Sequence, residues 1–239
     1  MSDVAFWFIA GGAVLIGSAV QSSVGIGLGL VAAPVVALID PTLLPGSVLI
    51  VTGVLPMLTI ASEWRHVDLL GIAWALAGRL LGVAGGVWVV TALSTETLGL
   101  AVGAMVLLAI AITLSAVHIR ATPATLSLAG LVSGVAGTAT SIGGPPMAIV
   151  YQNEPGPRVR SSLSLYFLVG VTASLIALRV SGHLGRDVLI GGLGLVPFVF
   201  AGFLLSWPLR AHVDGRILRF GLLAVAGVGA AVLIAQSLL

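Results

Sequence analysis

The stretch SIGGPP, residues 141–146, decides how this chain is read. It lies inside an apolar run, residues 124–151, where helix is expected. Gly143 and Gly144 weaken a helix, and Pro145 and Pro146 lack the N–H that a helix interior needs. An earlier stretch, QSSVGIGLG at residues 21–29, interrupts a second apolar run, 4–39, in the same way. As one straight helix that run would extend about 54 Å, against a bilayer core of about 30 Å. Both runs are therefore expected to break at membrane depth.

Composition supplies the bilayer. Of 239 residues, 59% are hydrophobic and 8% charged, and the mean hydropathy is +1.21. A soluble domain carries roughly 25% charged residues, so this chain lacks the polar surface to cover itself in water. Apolar runs long enough to span recur from end to end. The formal net charge is only +2, and every basic residue other than histidine is arginine. These charges sit mostly in short loops, where they report orientation and not nucleic-acid binding. Cysteine is absent, which excludes a disulfide framework, an iron–sulfur cluster and thiol chemistry. The opening MSDVAFWF has no basic region and is expected to belong to the first span, not to a signal peptide.

Hydropathy divides the chain into runs 4–39, 43–62, 69–93, 97–117, 124–151, 161–180, 187–207 and 216–238. The order is the same twice: one broken run, then three plain ones. Ser23-Val24-Gly25 aligns with Ser141-Ile142-Gly143, and Asp68-Leu69-Leu70-Gly71 resembles the segment from Asp187 to Gly191. The shared spacing predicts an internal duplication, with one transmembrane repeat over 1–119 and a second over 120–239.

Arginine then sets topology. If each broken run enters and leaves on one face, Arg65, Arg120, Arg158, Arg160, Arg210, Arg216 and Arg219 share a side. Arg186 lies opposite, with Asp3, Asp40 and Glu96. If each broken run crosses once, the arginines divide between the faces. The positive-inside rule favours the first arrangement and puts both termini outside the cytoplasm. Hairpins would make the halves inverted and pairs of short crossings would make them parallel, and the arginines fit both; run 124–151 is too short for two full spans of about 20 residues, which favours hairpins. The expected fold is an all-α integral membrane protein of two inverted repeats. Each repeat would hold a re-entrant helical hairpin and three transmembrane helices. Such repeats are typical of secondary transporters, with the site at their interface.

The chemistry of the breaks points to an anion. Irregular backbone at membrane depth must be buried in protein or line a wet cavity. A helix that starts there presents free N–H groups and a positive dipole end. Ser22, Ser23, Thr140 and Ser141 offer hydroxyls, and Gly25, Gly27, Gly143 and Gly144 let backbone approach a ligand closely. Pro145 suits the first helical turn. Gln21 is placed to line the same cavity. The competing reading is packing, because Gly25-x-x-x-Gly29 also fits a helix–helix contact.

SSVGIGLGLVAAP near the N-terminus, with SIGGPPMAIVY later, resembles the sulfite exporter TauE/SafE family of membrane permeases. The resemblance covers nearly the whole chain. It implies movement of small sulfur-containing anions, such as sulfite or organosulfonates, across the bacterial inner membrane. The alternatives are a permease for another small organic anion and a non-transporting membrane scaffold subunit.

Arg79 sits near the middle of run 69–93, where arginine costs at least about 2.5 kcal/mol. No acid lies inside any expected span to neutralise it, so an anionic ligand is its expected partner; freed carbonyls are the alternative. Gly78, Gly82 and Gly86 form a small ridge for close packing, and the second half has no matching arginine near Val199. Tyr151, Gln152 and Asn153 read as interfacial anchor and loop. Glu63, Trp64, Arg65 and His66 read as a loop with local ion pairing, and Asp68 and Asp187 as helix N-caps. The histidines at 66, 118, 183 and 212 fall at span ends, so no serine–histidine pair, metal set or enzyme activity is expected, and no cofactor.

Overall fold

The computed structural model describes residues 3–114, 119–212 and 215–238. His118 lies outside them, as do the side chains of Asp3, Arg210, His212, Arg216 and Arg219, on which the arginine count also drew. The chain is helical: α1 (Asp3–Val24), α2 (Leu28–Ile39), α3 (Gly46–Glu63), α4 (Leu69–Ala92), α5 (Thr95–Leu114), α6 (Pro123–Thr140), α7 (Gly144–Tyr151), α8 (Gly156–Val180), α9 (Arg186–Gly194), α10 (Val196–His212) and α11 (Gly215–Leu238). Among the described residues, four stretches are long and apolar enough to cross a membrane: Ala5–Val24, Leu69–Ala92, Gly156–Val180 and Arg186–Trp207.

Both broken runs are two helices. The first breaks where Gly25 and Gly27 take φ of 98° and 144°, values that a side chain would resist. The second breaks at Ser141, which closes α6 with φ 64°. A non-glycine residue in this left-handed region needs support, and the Ser141 hydroxyl supplies some by donating to the Pro45 carbonyl at 2.9 Å.

α6 lies along α4, residue against residue. A Cβ on Gly82 would stand 2.9 Å from the Gly134 Cα, and Gly78 and Gly86 face the α6 backbone in the same way. Only glycine permits this approach, so the ridge is a packing surface. α10 packs along α1 by the same device, with Gly11 against the Phe198 ring and Gly202 against Ser18. α3 pairs with α8 through Gly53 on Val171 and Glu63 on Arg160, and meets the start of α9 through Gly46 on Leu184 and Val188. α5 pairs with α11, where Gly103 meets Ile234 and Gly227 meets Ile110.

The ends of the broken runs can be located by their neighbours. α6 starts beside the first turns of α4, where the Ser127 hydroxyl donates to the Trp74 carbonyl. At the end of α7, the Tyr151 hydroxyl donates to Asp68 at 3.2 Å, just ahead of α4. The first broken run ends elsewhere: Leu43, after α2, lies against Gly191, and Trp7 in α1 lies against Gly194.

Several local expectations are corrected. Run 187–207 is two helices, broken at Leu195, because Pro197 cannot donate and its ring displaces the carbonyl four residues earlier. Asp187 lies inside the first turn of α9, whose N-cap is Gly185, whereas Asp68 does cap α4 through the Gly71 N–H at 3.1 Å. Glu63 pairs with remote Arg160 at 2.7 Å, not within its own loop. Tyr151 is fully buried and bonded to Asp68, so it is no interfacial anchor. Arg179 is in the last turn of α8 and joins Arg186 on the arginine-poor side.

Candidate anion site

The two breaks meet. Gly29, in the first turn of α2, lies against the Ser141 carbonyl so closely that a Cβ there would collide with it. Gly144 lies against Ile26 from the other break. Between them is a cavity of about 30 Å³. A water needs about 10–15 Å³ by this measure, so the space admits a group a few heavy atoms across.

Six residues singled out in the sequence line this cavity: Gln21, Gly27, Arg79, Ser141, Gly143 and Gly144. Five do not. The Ser22 and Ser23 hydroxyls donate back to the Ser18 and Ala19 carbonyls, at 2.7 and 2.9 Å. Gly25 packs against Val159 and Arg160. Thr140 donates to the Ala136 carbonyl at 2.7 Å and accepts the Ile142 N–H at 3.3 Å. Pro145 is buried in the first turn of α7. Gln21 is partly committed, since its Oε1 accepts the Leu28 N–H at 2.9 Å. That bond caps α2 and leaves the Gly29 and Leu30 N–H groups as its first-turn donors. In α7 the prolines at 145 and 146 have no N–H, so its backbone donors at the break are Gly143 and Gly144.

Arg79 brings the charge. It projects from α4, 1% exposed, with its guanidinium in a slot between α6, α8 and the second break. Nη1 donates to the Ser133 carbonyl at 3.0 Å and to Ser133 Oγ at 2.9 Å. The Ser133 hydroxyl donates onward to the Gly143 carbonyl. The Tyr166 ring lies 5.1 Å from Cζ, a cation–π contact. Three glycines shape the slot: a Cβ on Gly137 or Gly143 would stand 3.0 or 2.9 Å from Nη1, and one on Gly170 2.5 Å from Cδ. Nε is buried without a partner. Among the described residues no carboxylate pairs with Arg79, and none lines the cavity. Ser133, Gly137, Gly170, Tyr166, Thr52 and Phe167 escaped sequence reading. Serine and glycine are common in membrane helices and carry no local signal of a slot.

The positive ends of α2 and α7 and one guanidinium converge on this space. The lining also includes apolar side chains, among them Leu30, Leu49, Phe167 and Val171.

A scan against protein families matches residues 9–233 to the family described as Sulfite exporter TauE/SafE. The chain belongs to the TauE/SafE family. It is thereby a multi-pass membrane protein of a transporter family whose name denotes sulfite export. Comparisons with curated proteins and with solved structures return no match.

Outside the site, one end of the bundle is tied by ion pairs. Arg160 meets Glu63 at 2.7 Å, and Arg158 meets Asp68 at 3.2 Å and Glu154 at 3.3 Å. Burial alone would raise the Asp68 pKa. The Gly71 N–H, Arg158 and the Tyr151 hydroxyl outweigh burial together and hold it below the usual carboxylate value.

Proposed function

We propose that this TauE/SafE protein is a secondary transporter that exports a small sulfur-containing anion, sulfite or a compact sulfonate. The anion binds between the two breaks. Arg79 carries the reading: a guanidinium buried at membrane depth, facing a cavity lined by both breaks, with no carboxylate beside it. Arginine in that position costs at least about 2.5 kcal/mol; Ser133 and Tyr166 offset part of it, and an anion supplies the opposite charge they lack. Gly29, Leu30, Gly143 and Gly144 supply backbone N–H groups, and Gln21, Gly27 and Ser141 complete the frame. Ser22, Ser23, Gly25, Thr140 and Pro145 shape the breaks from behind.

The halves 1–119 and 120–239 act as inverted repeats that rock against each other. Support comes from the exchange of partners, α4 on α6 and α10 on α1, and from the ends of the broken runs. α7 returns to Asp68, where α4 starts, and α2 returns to α9, with Leu43 against Gly191. The end bearing Arg65, Arg120, Arg158 and Arg160 faces the cytoplasm of a bacterial cell, and both termini face outward. Export of an anion from a negative-inside cell is electrically downhill.

Flux into proteoliposomes tests this. Wild type moves radiolabelled sulfite or a small sulfonate, and Arg79→Ala lowers the rate at least about tenfold, the loss of one charged contact. Normal flux in Arg79→Ala overturns the charge assignment. No flux of any sulfur anion favours another small organic anion or a scaffold role.

A further inference from the structure

We infer that Ser133 is the positioning residue of this anion site, aiming its charged donor and one of its backbone donors at once. The inference rests on the site reading above.

The Ser133 hydroxyl stands between two groups. As acceptor it takes Arg79 Nη1 at 2.9 Å, beside the bond from Nη1 to the Ser133 carbonyl at 3.0 Å. With Nη1 held on α6 and Nε closed off against Gly170, the guanidinium has one edge left for the cavity, at Nη2. As donor the same hydroxyl binds the Gly143 carbonyl. A trans peptide is planar, and its C=O and N–H point in opposite directions. Fixing the Gly143 carbonyl on Ser133 therefore turns the Gly144 N–H away from α6. Gly144 itself lines the cavity, and a Cβ on it would meet Ile26 and Phe167, which line it too.

One fully buried side chain thus sets the direction of two anion donors from different elements, α4 and the second break. Without the hydroxyl, the Gly143–Gly144 peptide keeps its place at the start of α7 but loses its tie to α6. A carbonyl oxygen turned into the cavity would repel the anion that the N–H attracts. Arg79 would keep only its bond to the Ser133 carbonyl. The predicted defect is in anion affinity, not in the number of folded transporters.

The test is sulfite transport by Ser133→Ala, Ser133→Cys and Arg79→Ala in proteoliposomes, with unfolding temperatures taken with and without sulfite. Ser133→Ala should raise KM for sulfite about tenfold and leave the maximal rate within about threefold. Its unfolding temperature without sulfite should stay near wild type, while the upward shift caused by sulfite is lost. Ser133→Cys keeps the shape and a weak donor, so its KM should fall between the two. It also carries the test if the alanine variant does not fold. Wild-type KM in both serine variants, while Arg79→Ala abolishes transport, overturns this inference alone. A fall in maximal rate with unchanged KM overturns it too, because packing would explain that. Wild-type KM in Arg79→Ala takes down the site reading and this inference together.

Discussion

Gly170→Ala tests the arginine slot without touching a charge. Gly170 lies inside α8, and a Cβ there would stand 2.5 Å from Arg79 Cδ and 2.8 Å from Cζ. Carbon atoms pack at about 3.5–4.0 Å, and Arg79 Nε lies closer to the added Cβ than Cδ does, so the side chain must withdraw by more than about 1 Å. Space behind it is short, since Gly137 and Gly143 already crowd Nη1 from the other side. A withdrawal of that size takes Nη1 beyond hydrogen-bond reach of Ser133, from 2.9 and 3.0 Å. Overpacking costs about 1–3 kcal/mol, and a lost hydrogen bond to a charged group about 1.5–3 kcal/mol. Glycine to alanine in a helix returns about 0.5–1 kcal/mol, too little to offset this. Gly12→Ala is the matched control: it also lies within a helix, and a Cβ there meets nothing within 4 Å. Thermal unfolding in detergent and sulfite flux should separate the pair. Gly12→Ala should match or exceed wild type, while Gly170→Ala should unfold earlier and transport with raised KM. A Gly170→Ala variant with wild-type stability and wild-type KM would refute the slot.

The ion pairs at the arginine-rich end give two further expectations. Glu63→Gln leaves Arg160 without its carboxylate at a site where the side chains are 15% and 18% exposed. It should cost about 1–3 kcal/mol in unfolding measurements, and the exchange Glu63→Arg with Arg160→Glu should restore most of it; no recovery in the exchange would place the effect outside the pair. Asp68 has a folded pKa below its unfolded one, so its stabilisation is complete above the ordinary carboxylate range. It is lost as pH falls through that range toward the lowered value. The unfolding temperature should drop as pH is taken from about 5 to about 3, and less so in Asp68→Asn. An equal drop in both would assign the acid sensitivity to other carboxylates.

How much of this was legible in the sequence depends on the physical signal each feature leaves. A break in an apolar run is loud, because glycine and proline contradict helix where lipid demands it. That signal located both breaks, and their matching order suggested that they meet. Arg79 was equally loud, since a charge at mid-span has no reason to be there unless something answers it. The slot around it was silent. Ser133, Gly137 and Gly170 look like any small residues of a membrane helix, and their role appears only when α4, α6 and α8 are brought together. The hydroxyls misled for a related reason. Ser22, Ser23 and Thr140 had helical carbonyls within reach four residues back and bonded them. Partner choice at long range was hidden as well. Arg160, not Arg65, answers Glu63, because the fold brings together residues nearly a hundred positions apart. The bend at Leu195 does leave a signal, Pro197, but the unbroken apolarity of the run masks it.

The central claim is that an anion rests between the two breaks within reach of Arg79. Selenite has the charge and pyramidal shape of sulfite, and its selenium scatters X-rays anomalously. Crystals grown with selenite should show one anomalous peak in the cavity bounded by Gly29, Ser141 and Gly143, at hydrogen-bond distance of its oxygens from Arg79 Nη2. That peak should vanish in Arg79→Ala. A wild-type cavity with no peak at saturating selenite, or a peak that persists without the guanidinium, would contradict the account.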